Sequence, residues 1–141
     1  MTNQIDTSTA DNPETGVHPD VVDWSVLDSL KVLQKPGRPD MCRTLMKAYL
    51  DSIPPLMERT REAVSASDSD ALRNTAHSMK SSSLAIGAVI FGKTCAELEL
   101  LGKTNTLEEA PELLRRAENE LAATCAALNK ALASEGTVPS P

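Results

Sequence analysis

The sequence predicts an all-α protein: an antiparallel up-and-down four-helix bundle with a short additional helix at its N-terminal end. Three observations lead there. The hydrophobic fraction is 40%, mostly Leu and Ala, and Trp24, Tyr49 and Phe91 are the only aromatic residues. Helices favour Leu, Ala, Glu, Lys and Arg, whereas strands draw on aromatic and β-branched side chains. Apolar residues recur at three- and four-residue steps, in long stretches joined by short turns, which favours antiparallel neighbours.

Residues 1–19 are polar and carry no apolar period, so they read as a disordered lead, with His18 a solvated residue inside it. A first helix is expected over about 21–33, with Asp23 as its cap and Trp24, Leu27, Leu30 and Leu33 at helical spacing. A turn follows at 34–40. The second helix begins near Asp40 and places Leu45, Tyr49, Ile53, Leu56, Thr60 and Val64 along one face. Pro54 and Pro55 lie inside it, and an interior proline loses a donor and crowds the preceding turn. A kink or brief break is therefore expected near Ser52, with helix continuing to about Ser65.

The run 67–70 supplies caps for a third helix over about 69–86, which Gly87 suits as a terminator. The fourth covers about 88–101 and is expected to stop at Gly102. The fifth spans about 107–133, with Leu114, Ala117, Leu121, Cys125, Leu128 and Leu132 near a heptad stripe. Residues 134–141 read as a flexible tail, leaving one domain over 20–133.

Several function classes fall away at this level. The net charge is −6 and no basic helix face is present, which argues against nucleic acid. No window approaches the ~20 apolar residues of a membrane span, and the first ten residues lack the pattern of a signal peptide. Cys42, Cys95 and Cys125 are odd in number, far apart and without CxxC spacing, as expected of reduced thiols near helix cores. A cytoplasmic monomer is the expectation.

The third helix carries the one segment that asks for chemistry. Leu72, Ala76, Met79, Ser83 and Ile86 form its buried stripe, and at about 100° per residue His77 points roughly 140° away from the middle of it. Lys80 and Ser81 share the His77 face, as do Arg73, Asn74 and Leu84. Imidazole titrates near ~6.5, so at neutral pH much of it is an uncharged nucleophile. A phosphoryl group on its outer nitrogen would be offset by Lys80 one turn on, and the small Ser81 leaves room for another protein's backbone. Phosphoryl transfer depends chiefly on positioning and charge neutralisation, so a sparse site on a rigid helix suffices.

The string Ala76-His77-Ser78-Met79-Lys80-Ser81-Ser82-Ser83-Leu84-Ala85-Ile86-Gly87-Ala88 is similar to the signature of histidine-containing phosphotransfer (HPt) domains. That signature reads approximately Ala-His-x-Leu-Lys-Gly-Ser-Ser/Ala-x-x-Leu-Gly-Ala. Seven positions match in identity, and Met79 and Ile86 match in kind. The resemblance extends over about 20–133, through Val21-Val22-Asp23, Tyr49-Leu50, Asp70-Ala71-Leu72 and Cys95-Ala96-Glu97-Leu98-Glu99.

The resemblance implies a phosphocarrier rather than an enzyme, with His77 phosphorylated, Lys80 steadying the phosphate and Ser81 forming a close-approach surface. Arg73, Asn74 and Leu84 become candidate docking residues. The implied partners are response-regulator receiver domains and a hybrid sensor kinase. Catalytic acidic residues and Mg²⁺ would come from the receiver, so no cofactor or metal site is expected in this chain. The chain departs from the signature at Ser81, where glycine is usual, and at Leu84-Ala85, where Ala-Asn is usual. Two other readings compete. A helical module that is never phosphorylated could bind and sequester a receiver or kinase, but it has no need of Lys80 beside an exposed His77. A hydrolase or phosphatase lacks a second histidine in the folded region and any ligand pattern around His77.

Overall fold

A computed structural model describes residues 21–30, 37 and 40–134. The lead at 1–19, the last turn of the first expected helix, most of the 34–40 turn and the tail from 135 onward lie outside the described residues. Within them stand α1 (Trp24–Leu30), α2 (Met41–Ser65), α3 (Ser69–Ala85), α4 (Val89–Thr104) and α5 (Ala110–Ala133), and no strand is present among the described residues. The fold is the expected helical bundle with a short extra helix.

Cross-helix bonds give the topology. Tyr49 and Thr60 of α2 meet Ser83 and Thr75 of α3 in reverse order, and Ser69 at the start of α3 meets Asn105 at the end of α4. Arg43 at the start of α2 donates to the Leu132 carbonyl near the end of α5 at 2.9 Å, while Arg61 near the end of α2 pairs with Glu118 early in α5. These contacts make α2 antiparallel to α3 and α5, and α3 antiparallel to α4. The core between them includes Leu27, Met46, Ile53, Met57, Leu72, Met79, Phe91, Leu98 and Leu128.

Local chemistry sets the ends. The Asp40 carboxylate accepts from the amides of Cys42 and Arg43 to open α2, and Asp68 accepts from Ala71 to open α3. Asp23 takes the amide and hydroxyl of Ser25 at the head of α1, as its capping role requires. Its own amide donates to the Gly87 carbonyl at 2.7 Å. Gly87 adopts φ +88°, and a Cβ there would lie 2.4 Å from the Asp23 carbonyl oxygen. Glycine is thus required at this turn twice over, and the turn fastens α1 across one end of the bundle.

Five expectations need correction. The helix α2 runs unbroken through Pro54 and Pro55. Both prolines are exposed, so water can serve the Leu50 and Asp51 carbonyls that lose their amide donors. Its buried face is centred further round than expected, on Cys42, Met46, Tyr49, Ile53, Met57, Thr60 and Ala63, with Leu45, Leu56 and Val64 at the edges. The helix α4 does not stop at Gly102 but continues to Thr104, where Asn105 turns left-handed at φ 54°. Finally, α5 starts at Ala110 rather than 107, with Pro111 in the first turn where its missing amide costs nothing. The α5 stripe keeps Ala117, Leu121 and Leu128 but adds Ala110, Thr124 and Ala131, leaving Leu114, Cys125 and Leu132 half-buried.

Two glycines draw α4 against α3. A Cβ on Gly102 would fall 2.7 Å from the Arg73 amide nitrogen and 2.8 Å from the Ser69 carbonyl oxygen, both backbone atoms. A Cβ on Gly92 would fall 2.6 Å from Cδ2 of Leu84. This close seam, the most extensive in the bundle, carries the site.

Candidate functional site

The α3 stripe is buried as its period predicts: Leu72, Ala76, Met79, Ser83 and Ile86 all face the core. His77 is therefore turned outward, with its side chain 59% exposed. Beside it, on the facing turn of α4, Glu99 is 8% exposed and makes three contacts. His77 Nδ1 stands 2.9 Å from Glu99 Oε2, Lys80 Nζ donates to Oε1 at 2.6 Å, and Lys103 Nζ lies 3.8 Å from Oε2.

The electrostatics fix the protonation pattern. The Lys80 hydrogen bond, aided by the one from His77, holds the Glu99 carboxyl below the usual carboxylate range against the opposing effect of burial. An ionised carboxylate can only accept, so Nδ1 of His77 carries the proton. In the neutral ring the lone pair then sits on Nε2, which has no hydrogen bond to another described residue. A nucleophilic nitrogen is thus presented on an exposed helix face, its ring oriented by a buried anion.

The sequence-predicted residues assemble incompletely. His77 and Lys80 come together, but through Glu99, since the first partner of Lys80 is that carboxylate. Arg73, Asn74, Ser81 and Leu84 are all exposed around His77. Leu84 is 43% exposed while its inner edge covers Gly92, so it both faces solvent and closes the seam. Ser83 is different: its hydroxyl and the Tyr49 hydroxyl lie 2.7 Å apart in the core and tie α3 to α2.

Sequence reasoning missed Glu99 as a site residue. The signal was present, because Gly92, Cys95, Glu99 and Gly102 repeat at helical steps on the buried side of α4. A carboxylate on such a stripe requires a cationic or donor partner. Glu97, two residues earlier, points elsewhere and pairs with Arg116 at 2.8 Å.

Among the described residues no group of three or more His, Cys, Asp or Glu side chains is placed to hold a metal ion. None of the described helices is long and apolar enough to cross a membrane. The three cysteines are unbridged, and burial pushes the Cys95 thiol up to about 12, away from thiolate chemistry.

Residues 44–133 match the Hpt domain family, a span that begins just inside α2 and includes every residue of the site. Among solved structures the chain is similar to histidine-containing phosphotransfer protein B (HptB) from Pseudomonas aeruginosa PAO1. The two share 29% identity and a TM-score of 0.73 over 80% of this chain and 95% of that one. No curated protein sequence matches the chain.

Proposed function

The chain belongs to the Hpt domain family, and we propose that it is a phosphocarrier in which Nε2 of His77 takes a phosphoryl group from a receiver aspartate and passes it to another. The observation that carries this reading is the exposed His77 ring bonded through Nδ1 to the buried Glu99, which leaves Nε2 as the free nucleophile. The Nε2 lone pair attacks the phosphorus of an acyl phosphate. The P–O bond breaks, and the aspartate departs as a carboxylate. The reverse sequence, on a second receiver, empties the carrier.

Lys80 lies close enough to the ring's carboxylate partner to share its charge with the incoming phosphoryl oxygens, and only the phosphorylated state gains from that. Ser81 sets how near the partner's backbone comes, while Arg73, Asn74 and Leu84 frame a small, transient docking face. The receiver contributes the acidic pocket and Mg²⁺. A hybrid sensor kinase stands upstream, the carrier works as a monomer in the cytoplasm, and it has no turnover of its own.

The test is transfer from a phosphorylated receiver domain to this protein and to His77→Gln. Label that is acid-labile, alkali-stable and absent from the variant is the expected result. Label that persists in His77→Gln would refute the assignment.

A further inference from the structure

Resting on the reading of His77 as the carrier, we propose that Glu99 retains the proton on Nδ1 of phosphorylated His77, so that the phosphoryl group leaves without any proton changing place. When Nε2 bonds to phosphorus, a ring that still holds its Nδ1 proton becomes a cationic imidazolium. That cation faces Oε2 of a carboxylate that is 8% exposed and 2.9 Å away. On departure the P–Nε2 bond breaks, its electron pair returns to Nε2, and the leaving group is neutral imidazole. If Nδ1 had lost its proton to water, the leaving group would be an imidazolide anion, and transfer would stall. One tautomer, held by one carboxylate, thus serves loading and unloading alike.

The surroundings favour this role. Lys80 from α3 binds Oε1, the other oxygen, at 2.6 Å, so it keeps Glu99 ionised without competing for Oε2. Lys103, on α4 itself, approaches Oε2 only to 3.8 Å. Arg73 stands exposed one turn before His77 on α3. The ion pairs of Glu99 come from these two helices, and α2 and α5 add none. An opposing charge in hydrogen-bond contact moves a titration midpoint by about 1–3 pH units. The carboxylate therefore extends the transferable state toward alkaline pH.

The experiment uses a His18→Gln background, which leaves His77 as the only imidazole, with phosphoramidate as the chemical phosphoryl donor. The midpoint of phospho-His77 is read by ³¹P and ¹⁵N resonances across pH 5 to 9, and transfer to a panel of unphosphorylated receiver domains is timed over the same range. The parent midpoint should lie at least about one pH unit above that of Glu99→Gln, and transfer should decline above each protein's own midpoint. Glutamine fills the same space, so a packing role for Glu99 would leave the two midpoints together. Superimposed curves overturn the inference, as does a parent ring already deprotonated at Nδ1 well below pH 7, a result that needs no variant. Phospho-His77 that gives nothing to any receiver, whatever its midpoint, overturns the carrier reading and this inference with it.

Discussion

Lys80 and Glu99 meet at 2.6 Å across the seam between α3 and α4, so the cation expected to face a phosphate is already engaged while the histidine is bare. A phosphoryl group at Nε2 would draw Lys80 into a shared arrangement instead of meeting a free ammonium. Lys80 is 28% exposed and Glu99 8%, which ties the pair to the fold as well as to the chemistry.

Lys80→Ala should therefore do two things. It should slow phosphoryl transfer or shorten the lifetime of phospho-His77, measured by label decay. It should also cost about 1–3 kcal/mol of stability, because it strips the strongest partner from a nearly buried carboxylate. The sequence alone placed this lysine on the surface, where the cost is under ~0.5 kcal/mol. Unchanged denaturation midpoints would show that Glu99 finds a substitute partner, for which Lys103 is the nearest.

Acid should expose the same pairing. The folded-state pKa of Glu99 is lowered, so its contribution to stability is present above the unfolded carboxylate value of ~4.3 and is lost as pH falls through the folded value. Thermal melts from pH 6 to pH 2 should show the parent and Glu99→Gln converging toward the acid end. A constant gap between them across that range would mean that the charge of Glu99 does not matter to the fold.

Ser81 is exposed and stands four residues from His77. Ser81→Phe or Ser81→Gln should abolish transfer from a phosphorylated receiver while helical circular dichroism and melting temperature stay near the parent values. Ser81→Gly should transfer at least as fast as the parent. Intact transfer with phenylalanine at 81 would mean that receivers approach from another side.

Gly102→Ala tests the seam. The added methyl would meet backbone atoms of Arg73 and Ser69 at less than 3 Å, and backbone cannot rotate aside as a side chain can. We expect about 1–3 kcal/mol of destabilisation. Transfer should slow as well, since α3 and α4 are forced apart within a helical turn of the His77–Glu99 bond. The melting temperature and the transfer rate together check it.

Much of this was legible in the sequence wherever the rule is local. The α3 stripe, the outward His77, the Asp23 cap, the start of α2 near Asp40 and a cap for α3 within 67–70 follow from spacing along one helix, and the structure has each of them. What failed depended on a neighbour. Gly102 looked like a stop signal because its packing against Arg73 belongs to another helix. The buried arc of α2 shifted toward Met46 and Met57 because α3 and α5 flank it on either side. Pro54 and Pro55 point to a kink or a brief break, yet the helix is not broken there, because their exposure makes the lost bonds cheap. Glu99 shares the buried stripe of Gly92, Cys95 and Gly102, which sets it apart from Glu97, but the histidine it meets lies 22 residues away on another helix, and no pattern within α4 names that partner.

That separation also has a kinetic meaning. The Arg43–Leu132 contact that joins the first long helix to the last spans 89 residues, whereas the His77–Glu99 bond spans 22 within one helical hairpin. Chain-closure entropy grows with loop length, and proteins rich in short-range contacts assemble fast. On this ground the α3–α4 hairpin that carries the site is expected to form before the α2–α5 contact closes. The same order should hold for opening in the native state. Amide protons in the middle of α3 and α4 should exchange with solvent more slowly than those in the final turn of α5, so that turn can open without disturbing His77.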